Sequence, residues 1–250
     1  ATGLGQHLPT TGVTAFLATL VTAPFDCLLD ALARLSEVRG EPPNGAHMLG
    51  VHLEGPFIEL DKHGIHDVEA IRGPSLKEGA ALLAVGRSTL KLVTMAPELP
   101  GALELAGLLI SNDVKVAAGH SNATFEQANA AFDAGIKFVT HLFNAQPALH
   151  HRLPGLAGAA LLRNDVIASL IADGVHVHPA MCALTARAKG ASRVVLISDA
   201  VAGMGRPAGR FRLAGVEIET DGSAAWLAGT STLAGSLLTL NRAIANMSEF

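Results

Sequence analysis

Val114-Lys115-Val116-Ala117-Ala118-Gly119-His120-Ser121-Asn122-Ala123-Thr124-Phe125-Glu126-Gln127 reads as a strand, a turn and the opening of a helix. The short run Val114–Ala118 suits a strand. Thr124, followed three residues later by Gln127, fits a capping box, the signature of a helix start. Gly135 then stands where a helix C-terminus favours a left-handed residue. One chemically conspicuous side chain, His120, falls between strand and helix.

The same unit recurs in both directions along the chain. Candidate strands Val13–Val21, Met48–Leu53, Leu92–Met95, Phe138–Thr140, Val166–Ala172 and Val194–Ser198 alternate with helical patterns. That alternation predicts βα units around a parallel sheet. Thr22 and Pro24 open a helix that closes near Gly40, Ser75 with Glu78 fits a second capping box, and Gly190 marks another helix end. With Val114–Ala118 the candidate strands number seven, one short of a (β/α)₈ barrel. The first begins at Val13, so an eighth is expected upstream of Ala1, and both ends of the chain read as cut. Phe211 to Leu227 reads as a β-hairpin around Asp221-Gly222, an insertion over about residues 209–228, and a last helix spans Leu237–Met247. The expected fold is α/β, a TIM-type barrel without its first strand, forming one domain over residues 1–250.

Composition narrows the function. At 250 residues, with 49% hydrophobic and 16% charged, the chain can bury a sizeable core and is far from disordered. A net charge of -4, from 18 basic and 22 acidic residues, gives no basic surface for nucleic acid or an anionic membrane. The longest apolar runs are too short to span a bilayer. Cys27 and Cys182 lack metal-type spacing and read as two small buried hydrophobes in a reducing compartment. Ala1 to Pro9 lacks the pattern of a signal peptide, so the expected location is the cytoplasm.

The polar residues with chemical potential fall just after strands. Glu54 follows Val51-His52-Leu53, His120 follows Ala117-Ala118-Gly119, His141 follows Phe138-Val139-Thr140, and Asp199 follows Leu196-Ile197-Ser198. In a parallel barrel these ends share one face, where active sites are built. A carboxylate with two imidazoles is a ligand set for Zn²⁺ or Fe²⁺ that leaves positions open for water. Each residue alone has a plainer reading: a hydrogen-bonded structural histidine, or an aspartate that forms a turn. Four at equivalent places favour a metal-dependent hydrolase of unspecified substrate. His7, His47 and His63 read as exposed, Trp226 as hairpin packing, and Gly203 and Gly205 as a flexible loop.

The local sequences are more specific. His52-Leu53-Glu54-Gly55-Pro56-Phe57, Gly119-His120-Ser121-Asn122-Ala123-Thr124, Thr140-His141-Leu142-Phe143-Asn144-Ala145, Leu149-His150-His151-Arg152, Ala172-Asp173-Gly174-Val175-His176-Val177-His178-Pro179 and Ser198-Asp199-Ala200 follow in this order. Together they resemble the N-acetylglucosamine-6-phosphate deacetylases of the amidohydrolase superfamily, collinearly from Leu8 to Met247. The resemblance implies metal ligands at Glu54, His120 and His141, a catalytic acid/base at Asp199, and a carbonyl-polarising imidazole at His66. It implies substrate contacts at Ile65, His66, Asn144, Ala145, Arg152, Asp173, Gly174, Val175, His176, Leu233, Ala234 and Gly235.

The implied cofactor is one divalent metal ion per site: zinc first, with iron, manganese, cobalt and nickel as alternatives and a second ion left open. The implied partner is a phosphorylated amino sugar, held in a homodimer whose subunits share the phosphate site. The implied reaction gives glucosamine 6-phosphate and acetate, in amino-sugar catabolism and cell-wall recycling. Alternatives are the galactosamine epimer as substrate, a barrel hydrolase acting on cyclic amides or phosphoesters, or an inactive fragment. The chain departs from the family at Gln146-Pro147-Ala148, where Met-Pro-Pro is usual. Gln146 therefore either alters specificity near the sugar or sits at the rim. The family's first barrel strand, and the small β-domain built from both chain ends, are also expected to be missing.

Overall fold

The computed structural model describes residues 2–38, 45–213 and 215–250. Its frame is a seven-stranded sheet paired in sequence order: β1 (Ala15–Val21), β2 (His47–Glu54), β3 (Leu90–Met95), β4 (Lys115–Ala118), β5 (Phe138–Val139), β6 (Ile167–Leu170) and β7 (Val194–Leu196). Every neighbouring pair is parallel. A parallel sheet that never skips a strand has the path of a βα barrel, and this one curls as a half-barrel.

A short helix, α1 (Thr2–His7), precedes the sheet. Helices α2 (Phe25–Ser36), α3 (Leu76–Gly86), α4 (Ala102–Ile110), α5 (Phe125–Asp133), α6 (Gly155–Leu162) and α7 (Pro179–Lys189) occupy the six connections, and α8 (Leu240–Glu249) packs near β7.

Burial explains why these segments take these forms. In α4, Ala102, Leu105, Ala106 and Leu109 recur at helical spacing and are all buried, giving one apolar stripe. Strands inside the sheet are covered on both faces, so Val51, Leu53, Val93, Met95, Val116, Ala118, Val139, Ala168 and Leu170 share one core with the helices. By contrast β1 has no fully buried residue and is paired on one side only. Among the described residues β1 and β7 are the two edges of the sheet.

Several expected boundaries shift by a few residues. The Thr124 capping box forms: Gln127 N donates to Thr124 Oγ1 at 3.2 Å, and Thr124 N donates to Gln127 Oε1 at 2.9 Å. The Ser75 box does not. Ser75 makes no side-chain cap, and the Glu78 carboxylate that would complete the box is held by the Arg72 guanidinium at 2.5 Å. Gly190 has φ 70 and ψ 160, a positive angle outside the left-handed helical basin. Helix α2 starts after Pro24, with Thr22 drawn elsewhere, and ends at Ser36; Gly40 lies outside the described residues.

The expected hairpin is a three-stranded antiparallel sheet of β8 (Gly209–Leu213), β9 (Val216–Thr220) and β10 (Ala225–Leu227). Asp221-Gly222 does join β9 to β10, where the Asp221 carboxylate accepts from the Ser223 and Ala224 amides. The run before it holds two strands because Gly215, at φ 85, turns the chain between them. Trp226 lies on β10 opposite Glu219 and is half-buried, as a packing role requires. Cys182 is buried, but Cys27 is exposed, outside the buried stripe of α2 formed by Leu28 and Leu32. No helix among the described residues is long and apolar enough to cross a membrane.

Candidate active site

Glu54 is the last residue of β2, and His120, His141 and Asp199 each stand two or three residues beyond β4, β5 and β7. All three of the latter have positive φ, at 48, 31 and 48 respectively. That conformation is uncommon for a residue with a Cβ, and it persists where surrounding structure over-determines it, often at functional sites. Here it turns three polar side chains back over the carboxyl ends of the strands.

Three of the four meet. His120 Nε2 lies 3.1 Å and His141 Nε2 2.9 Å from Glu54 Oε1, and the two Nε2 atoms are 3.1 Å apart. All three residues are buried. The opposite ring nitrogens face backbone carbonyls: His120 Nδ1 is 2.7 Å from Lys62 O, and His141 Nδ1 is 3.1 Å from Asn144 O. A carbonyl only accepts, so each Nδ1 carries a proton, and each ring, when neutral, turns an Nε2 lone pair inward. Two lone pairs and a carboxylate oxygen at such separations repel unless a proton or a metal cation lies among them. The donor set and the carbonyl-anchored Nδ1 groups both fit a divalent metal, with Glu54, His120 and His141 as its ligands.

The electrostatics agree. Burial pushes the Glu54 carboxyl up, but hydrogen bonds from His120 and His141 outweigh it and leave the group well below the usual carboxylate range. Burial likewise works against charge on His141, yet Glu54 raises that imidazole to about 9. The cluster thus favours a positive charge beside an ionised carboxylate, either a proton on His141 Nε2 shared with Glu54 or a metal ion in that proton's place. Burial pushes Asp199 up, with the charge of Glu54 adding to it, while His141, His176 and His120 oppose. Asp199 is therefore within electrostatic reach of the cluster and retains its proton to higher pH than an ordinary aspartate.

His66 packs edge-on against His120, with ring centroids 4.5 Å apart. Burial first, and His120 second, lower its imidazole to about 3, so it stays neutral. Asp173 and His176 form a unit. Asp173 Oδ1 accepts from the Val175 and His176 amides, and Oδ2 lies 2.6 Å from His176 Nδ1. Gly235 runs beside Asp199, where Ser236 N donates to Asp199 O at 2.8 Å, whereas Leu233 bridges to Trp226 and Ala234 N donates to Ala225 O at 2.9 Å in the small sheet. A Cβ on Gly235 would come within 3.0 Å of Asp199 O. Ala145 O accepts from Ser121 N at 3.1 Å and ties the loops after β4 and β5 together. Asn144 supplies the carbonyl behind His141, and Ile65 packs against the small sheet's apolar cluster. Gly174 and Val175 are exposed at the tip of the Asp173 turn.

Arg152 is not brought to the cluster. It is exposed, and its guanidinium has no partner among the described residues. Gln146 is not a rim residue. It is buried, donates through Nε2 to Thr140 O at 3.1 Å, and accepts from Phe143 N at 3.2 Å. Its amide braces the loop that carries His141. His7 and His47 are exposed as expected, whereas His63 is only half-exposed, with a buried Nδ1.

Two further residues support the site without having been singled out in the sequence. Glu98 accepts from Ser121 Oγ at 2.7 Å and Asn122 N at 2.5 Å, fixing the turn after His120. It lies just past β3, the one central strand end to which no polar residue had been assigned, and that position was the available signal. His52 lies in the strand layer beneath the cluster, 3.2 Å from Thr19 Oγ1 and 2.8 Å from Thr94 Oγ1. Thr94 Oγ1 is in turn 2.7 Å from Thr140 Oγ1, so one polar chain crosses four strands or their ends.

Fold and site define a class: an α/β half-barrel with a Glu–His–His cluster able to hold a metal ion, and an aspartate held above the usual carboxylate range, at its carboxyl-end face. Comparison with known proteins names the relatives. No protein-family model matches the chain. The chain is 41% identical over 251 residues to the N-acetylgalactosamine-6-phosphate deacetylase of Escherichia coli O157:H7, covering 98% of this chain and 65% of that protein. It is 37% identical over 244 residues to the N-acetylglucosamine-6-phosphate deacetylase of Vibrio furnissii, covering 98% of this chain and 61% of that one. The structure of a variant N-acetyl-D-glucosamine-6-phosphate deacetylase from Mycobacterium smegmatis, in complex with N-acetyl-D-glucosamine-6-phosphate, superposes with a TM-score of 0.90. That pair is 37% identical and covers 94% of this chain and 61% of the other. By sequence and by fold, this chain is a homologue of the N-acetylglucosamine-6-phosphate deacetylases. It spans less than two thirds of the length of these relatives.

Proposed function

We propose that the chain hydrolyses the N-acetyl group of N-acetylglucosamine 6-phosphate, giving glucosamine 6-phosphate and acetate. The observation that carries this reading is the convergence of Glu54 Oε1, His120 Nε2 and His141 Nε2, with Asp199 close enough to feel their charge. A divalent metal held by those three atoms, zinc in our reading, would supply Lewis acidity and a water whose pKa falls from 15.7 to about 7.

The chain's own residues do the rest. Asp199 takes a proton from the attacking water and passes it to the nitrogen, so that an amine leaves rather than an amide anion. Its carboxyl, held above the usual range, suits both halves of that transfer. Neutral His66 donates a hydrogen bond to the carbonyl oxygen as charge develops there. The Asp173–His176 turn and the Leu233–Gly235 segment flank Asp199 and hold the sugar, with Ile65, Asn144 and Ala145 on the other sides. Arg152, with its planar fork of donors, is assigned to the phosphate. Because it is exposed and away from the cluster, we assign it to a phosphate site shared across a homodimer.

We read residues 1–250 as the catalytic barrel, completed by a strand outside the seven. Widely separated cysteines fit a reducing, cytoplasmic setting. The galactosamine epimer is a second reading, favoured by the name of the E. coli relative. Steady-state rates of acetate release from the two 6-phosphates decide between them. The glucosamine reading expects the higher kcat/KM on the gluco compound, and a clear galacto preference would reverse it.

A further inference from the structure

Thr22 follows directly on β1 and is 1% exposed. Its backbone N–H donates to His66 Nδ1 at 3.3 Å, and its Oγ1 lies 2.7 Å from the same nitrogen. The hydroxyl is also 3.4 Å from Glu54 O. These distances decide where the His66 proton resides. A backbone amide can only donate, so a protonated Nδ1 would oppose one N–H with another inside a buried pocket. An unprotonated Nδ1 accepts from the amide and the hydroxyl together. A neutral imidazole carries a single N–H, which is then on Nε2. Nε2 has no partner among the described residues, so its proton is free to meet a ligand.

The pocket is shaped around this contact. Gly55, at φ 77, lies beside Thr22, and a Cβ there would stand 2.1 Å from Thr22 Oγ1. Only a residue without a side chain leaves room for the hydroxyl.

We infer that Thr22 is a positioning residue that locks His66 in the Nε2–H tautomer, so that His66 presents a donor rather than a lone pair to the carbonyl oxygen of the substrate. The second clause rests on the deacetylase reading; the tautomer does not. In the opposite tautomer a nitrogen lone pair would face the developing oxyanion, and stabilisation would become repulsion.

The test is long-range ¹H–¹⁵N correlation on the Zn²⁺-loaded protein labelled at histidine nitrogens, with His66 assigned by its loss in His66→Gln. The wild type is expected to show Nε2 protonated and Nδ1 bare. Thr22→Val keeps the amide and removes the hydroxyl. It is expected to populate the Nδ1–H tautomer and lower kcat about three- to tenfold, the equilibrium cost of one neutral hydrogen bond, with KM little changed. Thr22→Ser is expected to restore both signals. A wild-type His66 protonated at Nδ1 would overturn the inference, as would wild-type tautomer and kcat in Thr22→Val. Absence of acetate release alongside an intact Nε2–H tautomer would defeat the deacetylase reading alone and leave the lock standing.

Discussion

Asp199 and Asp173 are both half-buried acids that feel His176, yet their surroundings drive them in opposite directions. Asp199 is pushed up by burial and by Glu54, and it touches none of the three ligand atoms through a hydrogen bond. Replacing it with Asn should therefore remove proton transfer and spare the metal. Asp199→Asn is expected to lower kcat by at least about 10²-fold, with metal content by elemental analysis unchanged. Substantial turnover in that variant would remove Asp199 from the acid/base role. Asp173 also feels burial, but His176 and two backbone amides outweigh it and lower its carboxyl. A folded-state value below the unfolded one stabilises the native state above about pH 4, and this stability is lost as pH falls through the folded value. Asp173→Asn is thus expected to cost roughly 1–3 kcal/mol at pH 7, with the gap closing toward pH 3, as read by denaturant midpoints across pH. A gap independent of pH would mean that Asp173 acts by shape and not by charge.

At the scale of elements, two capping signatures looked alike and behave differently. Thr124→Ala is expected to destabilise the protein by about 1 kcal/mol, while Ser75→Ala should fall within the noise of a thermal melt, because Ser75 caps nothing. Equal losses would contradict the observed caps. The contrast marks what local sequence conveys. The pattern located both helix starts, but Arg72, six residues before Glu78, decides that the carboxylate leaves its box. Strand positions were legible from β-branched runs, whereas the extra strand β8 was hidden inside one alternating run split by Gly215. Gln146 was unreadable for a similar reason. Its partners, Thr140 O and Phe143 N, are backbone atoms brought near only by the turn after β5.

Across the whole molecule, the legible features were those the chain repeats: strand, polar residue, turn, helix. Repetition placed Glu54, His120, His141 and Asp199 at equivalent strand ends, and the parallel sheet brought those ends to one face. Supporting groups such as Thr22, Glu98 and His52 do not repeat. Their roles depend on hydrogen bonds from neighbouring strands and loops, which sequence order conceals. We propose that this face binds a metal and removes an acetyl group with it. Acetate release from N-acetylglucosamine 6-phosphate, measured before chelation, after chelation and after addition of Zn²⁺ or Fe²⁺, tests that claim most directly. Activity lost on chelation and restored by metal is the expected result; release that survives complete metal removal, or none with either metal bound, would contradict it.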